Sequence, residues 1–191
     1  MYLKRNKVLD ILKLYLRGYK KQLYLREISK LARLPVKTTQ NLTKALEEER
    51  VFKSQISGKN KYFRLNLDNL QTKFYLLSAE IYKTSLFIEK YPSFNTFLKG
   101  IKTNSPLIVF GSFAKFEADQ NSDLDLLIIE KNADLPFHLL APGVHKMELS
   151  KSEFIKSLEK EEPLIMEIKE NHVILNNHSF YIDAMWEYYE K

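Results

Sequence analysis

Residues 108–129 read IVFGSFAKFEADQNSDLDLLII, two apolar runs separated by a polar segment. The pattern predicts a strand that ends at Gly111-Ser112, then a short helix, and then a second strand that carries Asp123 and Asp125. Residues two apart on a strand project to the same face, so we expect both carboxylates on one side of the sheet. Strands are depleted in Asp, and a buried charge needs a partner, so the pair predicts a functional site.

The types of residue at this site favour chemistry on phosphates. Two adjacent carboxylates repel each other unless a cation lies between them, and such oxygen ligands suit Mg²⁺ that carries phosphates. The Gly-Ser turn begins a helix whose first backbone N–H groups lack partners and can bind an anion. A metal site and a phosphate-binding turn in one unit are typical of a phosphoryl-transfer enzyme. The alternative is an ordinary helix start beside a solvated strand end.

The order of these elements resembles the DNA polymerase β-like nucleotidyltransferase superfamily, and most closely its minimal nucleotidyltransferase branch. Gly111-Ser112, ten further residues and Asp123-Leu124-Asp125 carry the resemblance, which covers residues 105–150. Three other positions match the small, basic and serine residues of that branch, namely Ala114, Lys115 and Ser122. Phe116 departs from the pattern, because the branch usually has glycine there.

The resemblance implies Mg²⁺-dependent transfer of a nucleoside monophosphate from an NTP, with ATP expected, to a hydroxyl of a protein or nucleic-acid acceptor. Its motif implies that the NTP is bound by Gly111, Ser112, Lys115 and Ser122. It also implies that Asp123 and Asp125 are catalytic and bind the metal.

The next predicted strand, residues 144–149, is expected to complete the metal site. The superfamily supplies a third acidic residue from this strand, and Glu148 is the only acid in it. His145 is the other polar candidate, and strand alternation puts it on the opposite face from Glu148. We expect Glu148 to be the third catalytic residue, with His145 as the alternative. Loss of this ligand would leave nucleotide binding intact but weaken two-metal catalysis.

Charge divides the chain into two unlike parts. Residues 1–70 hold 17 Lys and Arg against 6 Asp and Glu, whereas residues 71–191 hold 13 against 18. A basic region attracts polyanions, which favours a nucleic-acid partner for the first part over a merely basic surface. The chain contains no cysteine, so disulfides and thiolate metal sites are excluded.

The first part has the pattern of three helices followed by a β-hairpin. Periodicity predicts these elements at residues 4–18, 25–32, 36–49, 51–56 and 61–67, with the hairpin turn at 57–60. This order resembles a winged helix-turn-helix, in which the third helix enters the major groove of double-stranded DNA. The expected DNA-binding residues are Lys37, Thr38, Gln40, Asn41, Lys44, Lys59 and Lys61. The alternative is a protein-interaction domain.

A helical connector is predicted at residues 71–91, with apolar residues on most of its faces. Such a helix must be buried on most faces, either between two domains or against a second copy of the chain, and we favour a homodimer. No apolar run is long enough to span a membrane, and the N-terminus lacks a signal-peptide core. We therefore expect a cytoplasmic protein with no membrane partner.

These observations predict an α+β protein with three parts. Residues 1–70 would form the winged helix, residues 71–104 the helical connector, and residues 105–191 a nucleotidyltransferase domain with a small mixed sheet. The leading interpretation is a nucleotidyltransferase with a DNA-binding domain. The alternative is a DNA-binding transcriptional regulator, or an antitoxin to a toxin-like partner protein, whose transferase domain senses a nucleotide or is weakly catalytic.

Overall fold

A computed structural model describes residues 5–140 and 143–190, and it is a mixed α+β structure with two small sheets. The described chain divides into two compact units. One unit is Glu80–Tyr188, and the other consists of the described residues up to Ala79 together with Tyr189 and Glu190. Residues 1–4, 141, 142 and 191, which the predicted domain ranges include, lie outside the described residues. In the described ranges, no helix combines the length and the apolar character needed to cross a bilayer.

The N-terminal unit contains helices and a three-stranded antiparallel sheet. Its elements are α1 (Lys7–Leu12), β1 (Leu23–Tyr24), α2 (Leu25–Ala32), α3 (Val36–Glu48), β2 (Phe52–Ser57) and β3 (Asn60–Leu65). Strand β3 lies between β1 and β2 and is antiparallel to both. The predicted hairpin is confirmed, and Gly58 at its turn has a φ of +56°. Strand β1 escaped the sequence analysis because it has only two residues.

The apolar core of this unit joins the helices to the hairpin. Ile28 of α2 and Leu46 of α3 are buried, and so are Phe52 of β2 and Phe63 of β3. Tyr15 is also buried, and its hydroxyl donates a hydrogen bond of 3.0 Å to the carbonyl of Phe63. The hairpin is therefore fixed to the helices by both apolar packing and a polar contact.

The helix predicted at residues 71–91 is confirmed as α4 (Leu70–Lys90). Its buried side chains include Leu76, Ala79 and Phe87. Leu70 and Phe74 lie elsewhere on the helix and are each 60% exposed. Helix α4 thus keeps exposed apolar side chains as well as a buried face.

The second unit is built on a four-stranded mixed sheet with the strand order β6-β5-β4-β7. Its remaining elements are α5 (Phe94–Gly100), β4 (Leu107–Phe110), α6 (Gly111–Ala114), β5 (Leu124–Ile128), β6 (Val144–Glu148), α7 (Lys151–Glu159), α8 (Pro163–Glu170), β7 (Val173–Asn176) and α9 (His178–Glu190). Strand β4 is antiparallel to β5 and to β7, whereas β5 and β6 are parallel. The predicted small mixed sheet is confirmed.

Strand β5 is buried on both faces for most of its length. Leu124, Leu126, Leu127 and Ile128 are completely buried, whereas Asp125 is only partly buried. Successive residues of a strand point to opposite faces, so apolar layers must cover both sides of β5. One of these layers includes Phe87, Phe94, Phe97, Phe113 and Leu135. Asp125 therefore belongs to a strand that the core covers on both faces, and Asp123 directly precedes this strand.

Candidate active site

Asp125 lies where three strands meet. It is the second residue of β5, opposite Phe110 at the end of β4 and opposite His145 on β6. Phe110 is followed at once by Gly111, the first residue of α6. Pairing with β4 therefore brings the Gly-Ser turn to the strand residue that carries the second carboxylate.

Position 111 does not readily accept any residue other than glycine. Its φ is +65°, which residues with a Cβ rarely adopt. A Cβ built on Gly111 would also approach Oδ2 of Asp125 to less than 3.0 Å, a distance that real Cβ atoms do not show. The turn needs glycine for its backbone conformation and for the space that the Asp125 carboxylate occupies.

A second glycine, Gly143, leaves space for the carboxylate of Asp123. A Cβ on Gly143 would come within 3.0 Å of Oδ1 of Asp123, and the Gly143 carbonyl accepts a 2.8 Å hydrogen bond from the Leu124 N–H. Each carboxylate is therefore bordered by a backbone that lacks a side chain. The sequence analysis missed Gly143, although a glycine next to the first residue of the neighbouring strand was a usable signal.

His145 faces both aspartates. Its Nε2 lies 3.7 Å from Oδ2 of Asp123, and its Nδ1 lies 3.6 Å from Oδ1 of Asp125. The His145 side chain is 71% exposed, and the carboxylate side chains of Asp123 and Asp125 are 51% and 32% exposed. The three groups are thus open to solvent, where such ion pairs contribute little to stability.

The structure does not bring Glu148 to this site, which corrects the expectation that Glu148 is the third carboxylate. Glu148 pairs with Ile128, three residues beyond Asp125, because β6 runs parallel to β5. Its Oε2 accepts a 3.3 Å hydrogen bond from the Asn132 N–H, and Lys146 lies 3.8 Å away. The odd spacing from His145 also places Glu148 on the other face of the strand.

The remaining predicted nucleotide-binding residues have other contacts. The Ser122 hydroxyl donates a 3.1 Å hydrogen bond to Oδ1 of Asp119 and accepts one of 3.0 Å from the Asp119 N–H, which closes the turn before Asp123. Lys115 lies 3.9 Å from Glu167 of α8. Ser112 is the partly buried second residue of α6. Of these three, only Ser112 belongs to the turn beside Asp125.

Phe116, the position where the resemblance expects glycine, keeps a glycine-like backbone. Its φ is +62°, in the left-handed region that non-glycine residues enter at a cost. The Phe116 ring packs edge-on against Phe87 at 6.1 Å, and its carbonyl accepts a hydrogen bond from Lys90. These contacts offset the strain and explain how the chain departs from the pattern without changing its path.

No ready-made metal cage exists in the described ranges, where no group of three or more His, Asp or Glu side chains is arranged to hold an ion. The carboxylates of Asp123 and Asp125 are nevertheless partly exposed and share one strand face with His145 beside them. Mg²⁺ is usually held by one or two carboxylates together with waters and substrate phosphates. The two carboxylates fit an ion that arrives with a triphosphate.

The predicted DNA-binding residues lie on α3 and on the β2–β3 hairpin. Lys37, Gln40, Asn41 and Lys44 are exposed on α3, Thr38 is partly buried, and Lys59 and Lys61 are exposed on the hairpin. Two of them have acidic neighbours, since Lys44 lies 3.4 Å from Glu48 and Lys61 lies 2.7 Å from Glu47.

The contact between Lys61 and Glu47 lowers the pKa of the Glu47 carboxylate. Burial raises the pKa of Glu47, but hydrogen bonds from Lys61 and Ser54 hold it below its ordinary value. Glu47 is therefore charged at neutral pH, so its carboxylate competes with a DNA phosphate for Lys61.

A strand, a Gly-Ser turn, a short helix and a second strand with two carboxylates at its start form an arrangement that suits a metal ion and phosphate. Consistent with this, the model of the family described as "Nucleotidyltransferase domain" matches residues 93–184, which include the aspartates, both glycines and the whole four-stranded sheet. This part of the chain is similar to that family, and the match supports the nucleotidyltransferase class of enzyme in general. No curated protein and no solved structure matches the chain.

Proposed function

We propose that the chain transfers a nucleoside monophosphate from an NTP, ATP in the first instance, to a hydroxyl group in a Mg²⁺-dependent reaction. The observation that carries the proposal is the pair of partly exposed carboxylates at the start of β5, Asp123 just before the strand and Asp125 within it, each bordered by a glycine backbone. In the reaction, the acceptor oxygen bonds to the α-phosphorus as pyrophosphate leaves. A protein or nucleic-acid hydroxyl is the proposed acceptor.

Each residue of the site has a role that follows from its position. Asp123 and Asp125 would hold the metal ion, which supplies charge neutralisation for the triphosphate and the leaving pyrophosphate when bound. The turn at Gly111 and Ser112 would bind phosphate oxygens through N–H and hydroxyl groups. Lys115 would leave its 3.9 Å contact with Glu167 and add positive charge. Ser122 would act indirectly, by holding the turn that precedes Asp123.

Labelled ATP tests this reaction directly. We expect the protein to transfer labelled AMP and to release pyrophosphate in the presence of Mg²⁺. Asp123→Asn and Asp125→Asn should abolish both signals, because an amide cannot replace the charged ligand. Asp134→Asn is the matched control, since Asp134 is an exposed carboxylate on the loop between β5 and β6. Transfer that persists in both site variants would contradict the roles of the aspartates.

We also propose that the N-terminal unit is a winged helix-turn-helix that binds double-stranded DNA. The order α1, β1, α2, α3, β2, β3 and the exposed polar side chains of α3 support this proposal. A recognition helix needs such side chains for base edges, and the hairpin supplies cations for the backbone. The excess of basic residues in positions 1–70 supports the same conclusion.

Gel-shift titration at several salt concentrations tests DNA binding. Affinity should fall steeply with salt, because each phosphate contact releases counterions. Lys37→Ala should weaken binding and reduce the salt slope by about 1, whereas Lys99→Ala on α5 should change neither. Binding that ignores salt, or equal effects of the two variants, would contradict the proposal.

A second function is favoured by the position of Glu148. In the described ranges β6 contributes no carboxylate to the aspartate pair, so the site has fewer acidic ligands than the full two-metal arrangement needs. The protein would then be a transcriptional regulator, or an antitoxin to a toxin-like partner, that binds the nucleotide without consuming it. Metal-dependent ATP binding with the ATP left intact would favour this function over transfer.

We further propose that the chain forms a homodimer through α4. Leu70, Phe74 and Ile81 are between 48% and 60% exposed on this helix and recur at helical spacings of four and seven residues. Ser78 is exposed between them and bears no charge that would repel an identical helix. A second copy that presents the same stripe would bury these side chains on both helices.

A further inference from the structure

His145 gives the site a nitrogen donor beside two oxygen donors. It lies opposite Asp125 in the parallel β5–β6 pair, and its ring nitrogens are 3.7 Å and 3.6 Å from carboxylate oxygens of Asp123 and Asp125. Asp125 and His145 belong to paired strands, so these donors stay together as long as the sheet is intact. The backbone of His145 is thus fixed beside Asp125, while its ring is 71% exposed.

The separations suit donors that share one metal ion. Ligands about 2.1 Å from an octahedral ion stand about 3.0 Å apart when adjacent and about 4.2 Å apart when opposite. The two nitrogen–oxygen distances of 3.6 Å and 3.7 Å fall between these limits. Each ring nitrogen can therefore share an ion with an oxygen of one aspartate, Nε2 with Asp123 and Nδ1 with Asp125, and rotation of the exposed ring decides which pair binds the ion.

The chemistry of the donors distinguishes between metals. Carboxylate oxygens suit Mg²⁺ and Mn²⁺ alike. An imidazole nitrogen that replaces a water ligand adds little affinity for Mg²⁺, but it is a good ligand for first-row transition ions. A site with two carboxylates and one imidazole should therefore gain affinity for a transition ion and not for Mg²⁺.

We propose that His145 is a metal ligand and makes the site select Mn²⁺ over Mg²⁺. This inference rests on the proposed function, because it uses the same aspartates as metal ligands. Mg²⁺ still supports the transfer at high concentration through the carboxylates alone. His145 adds the discrimination between the two ions.

Equilibrium binding of Mn²⁺ to the full chain, freed of metal with a chelator and held at one pH, provides the test. Free Mn²⁺ is measured by its electron paramagnetic resonance signal, and Mg²⁺ is measured by competition. Wild type should bind Mn²⁺ at least about tenfold more tightly than Mg²⁺. His145→Ala should lose about tenfold in Mn²⁺ affinity and leave Mg²⁺ affinity unchanged, because only Mn²⁺ uses the nitrogen.

Two further variants sharpen the result. His145→Asp replaces the nitrogen with oxygen and should raise Mg²⁺ affinity until the preference disappears. His138→Ala removes an exposed histidine from the loop between β5 and β6 and should behave as wild type. Bound Mn²⁺ should also show nitrogen modulation in pulsed electron paramagnetic resonance, and His145→Ala should remove it while His138→Ala retains it.

The outcomes separate this inference from the proposed function. If Mn²⁺ and Mg²⁺ bind and Asp123→Asn abolishes both, but His145→Ala leaves their ratio unchanged, the role of His145 is overturned and the proposed function stands. Tighter binding of both ions by His145→Ala would also overturn it, because the ring would then compete with the metal. If wild type binds neither ion, both the inference and the metal-dependent function are overturned.

Discussion

Gly111 and Asp125 are packed so closely that a single methyl group on the glycine would overlap a carboxylate oxygen of the aspartate. The contact joins the end of β4 to the start of β5, two strands held together by antiparallel pairing of Phe110 with Asp125. The Gly-Ser turn and the second aspartate therefore have fixed positions relative to each other before any ligand binds.

Gly111→Ala should impair transfer far more than it impairs folding. The left-handed backbone alone costs a Cβ about 1–2 kcal/mol, and the displaced carboxylate should lower the rate about a hundredfold. Gly58→Ala is the matched control, because Gly58 also has a positive φ but a Cβ there would meet nothing within 4 Å. Thermal unfolding should show a similar loss of stability in both variants. Labelled-ATP transfer should fall about a hundredfold in Gly111→Ala and stay near wild type in Gly58→Ala. Equal activity in the two would refute the steric role of Gly111.

Gly143→Ala separates the steric effect from backbone strain. Its Cβ would overlap Oδ1 of Asp123, yet Gly143 does not adopt a left-handed φ. We expect weaker metal binding and slower transfer, with the free energy of unfolding lowered by less than about 1 kcal/mol. Metal titration and urea unfolding of the same preparation would check this. Normal metal affinity would show that Asp123 tolerates a different rotamer.

A buried acid–base pair predicts that the unit Glu80–Tyr188 unfolds in acid. Oε1 of Glu80 lies 2.7 Å from Nε2 of His172, and both side chains are fully buried. Burial raises the pKa of Glu80, but the neighbouring His172, Lys83 and His178 lower it more, so the pKa lies below the ordinary value of 4.5. The pKa of His178 is also below its ordinary value of 6.5, in this case because burial disfavours the charged form of the ring.

Both shifts act in the same direction. Each group has a lower pKa in the folded chain, so the unfolded chain binds its proton first and stability falls as the pH falls. The loss due to His178 should begin near pH 6.5, and the loss due to Glu80 near pH 4.5. Urea unfolding between pH 8 and pH 3 would measure both.

Glu80→Gln provides the check on this assignment. It should destabilise the protein by about 3–5 kcal/mol at pH 7, because it leaves His172 without its buried charged partner. It should also flatten the decline below pH 4.5, whereas His178→Gln should flatten the decline that begins near pH 6.5. An unchanged pH profile in both variants would assign the acid sensitivity to other groups.

The exposed stripe on α4 predicts a dimer that one substitution can dissociate. Phe74→Ser removes a large apolar side chain that is 60% exposed, so it should cost the folded monomer little and weaken self-association. Leu31→Ser on α2 is the control, since Leu31 is also an exposed apolar residue. Light scattering at tens of micromolar should give a dimer for wild type and Leu31→Ser and a monomer for Phe74→Ser. A monomeric wild type at this concentration would contradict the proposed homodimer.

The sequence predicted the local features of the site, and pairing between distant segments decided the rest. Asp123 and Asp125 were recognisable because charged residues interrupt an apolar strand pattern, and Gly111-Ser112 because a turn must follow β4. The choice between His145 and Glu148 depended on the register of β6 against β5, which no pattern within β6 encodes. Strand β7 was missed because three apolar residues and an asparagine between helices give too short a signal.

Glycines, and not only carboxylates, define this centre, and that matters for anyone who wishes to build it elsewhere. Grafting Asp-Leu-Asp onto a strand of another scaffold would reproduce the donors but not the room they need, because ordinary neighbours would fill the two gaps that Gly111 and Gly143 leave open. A successful design would have to specify two missing side chains on the flanking segments before it placed either acid.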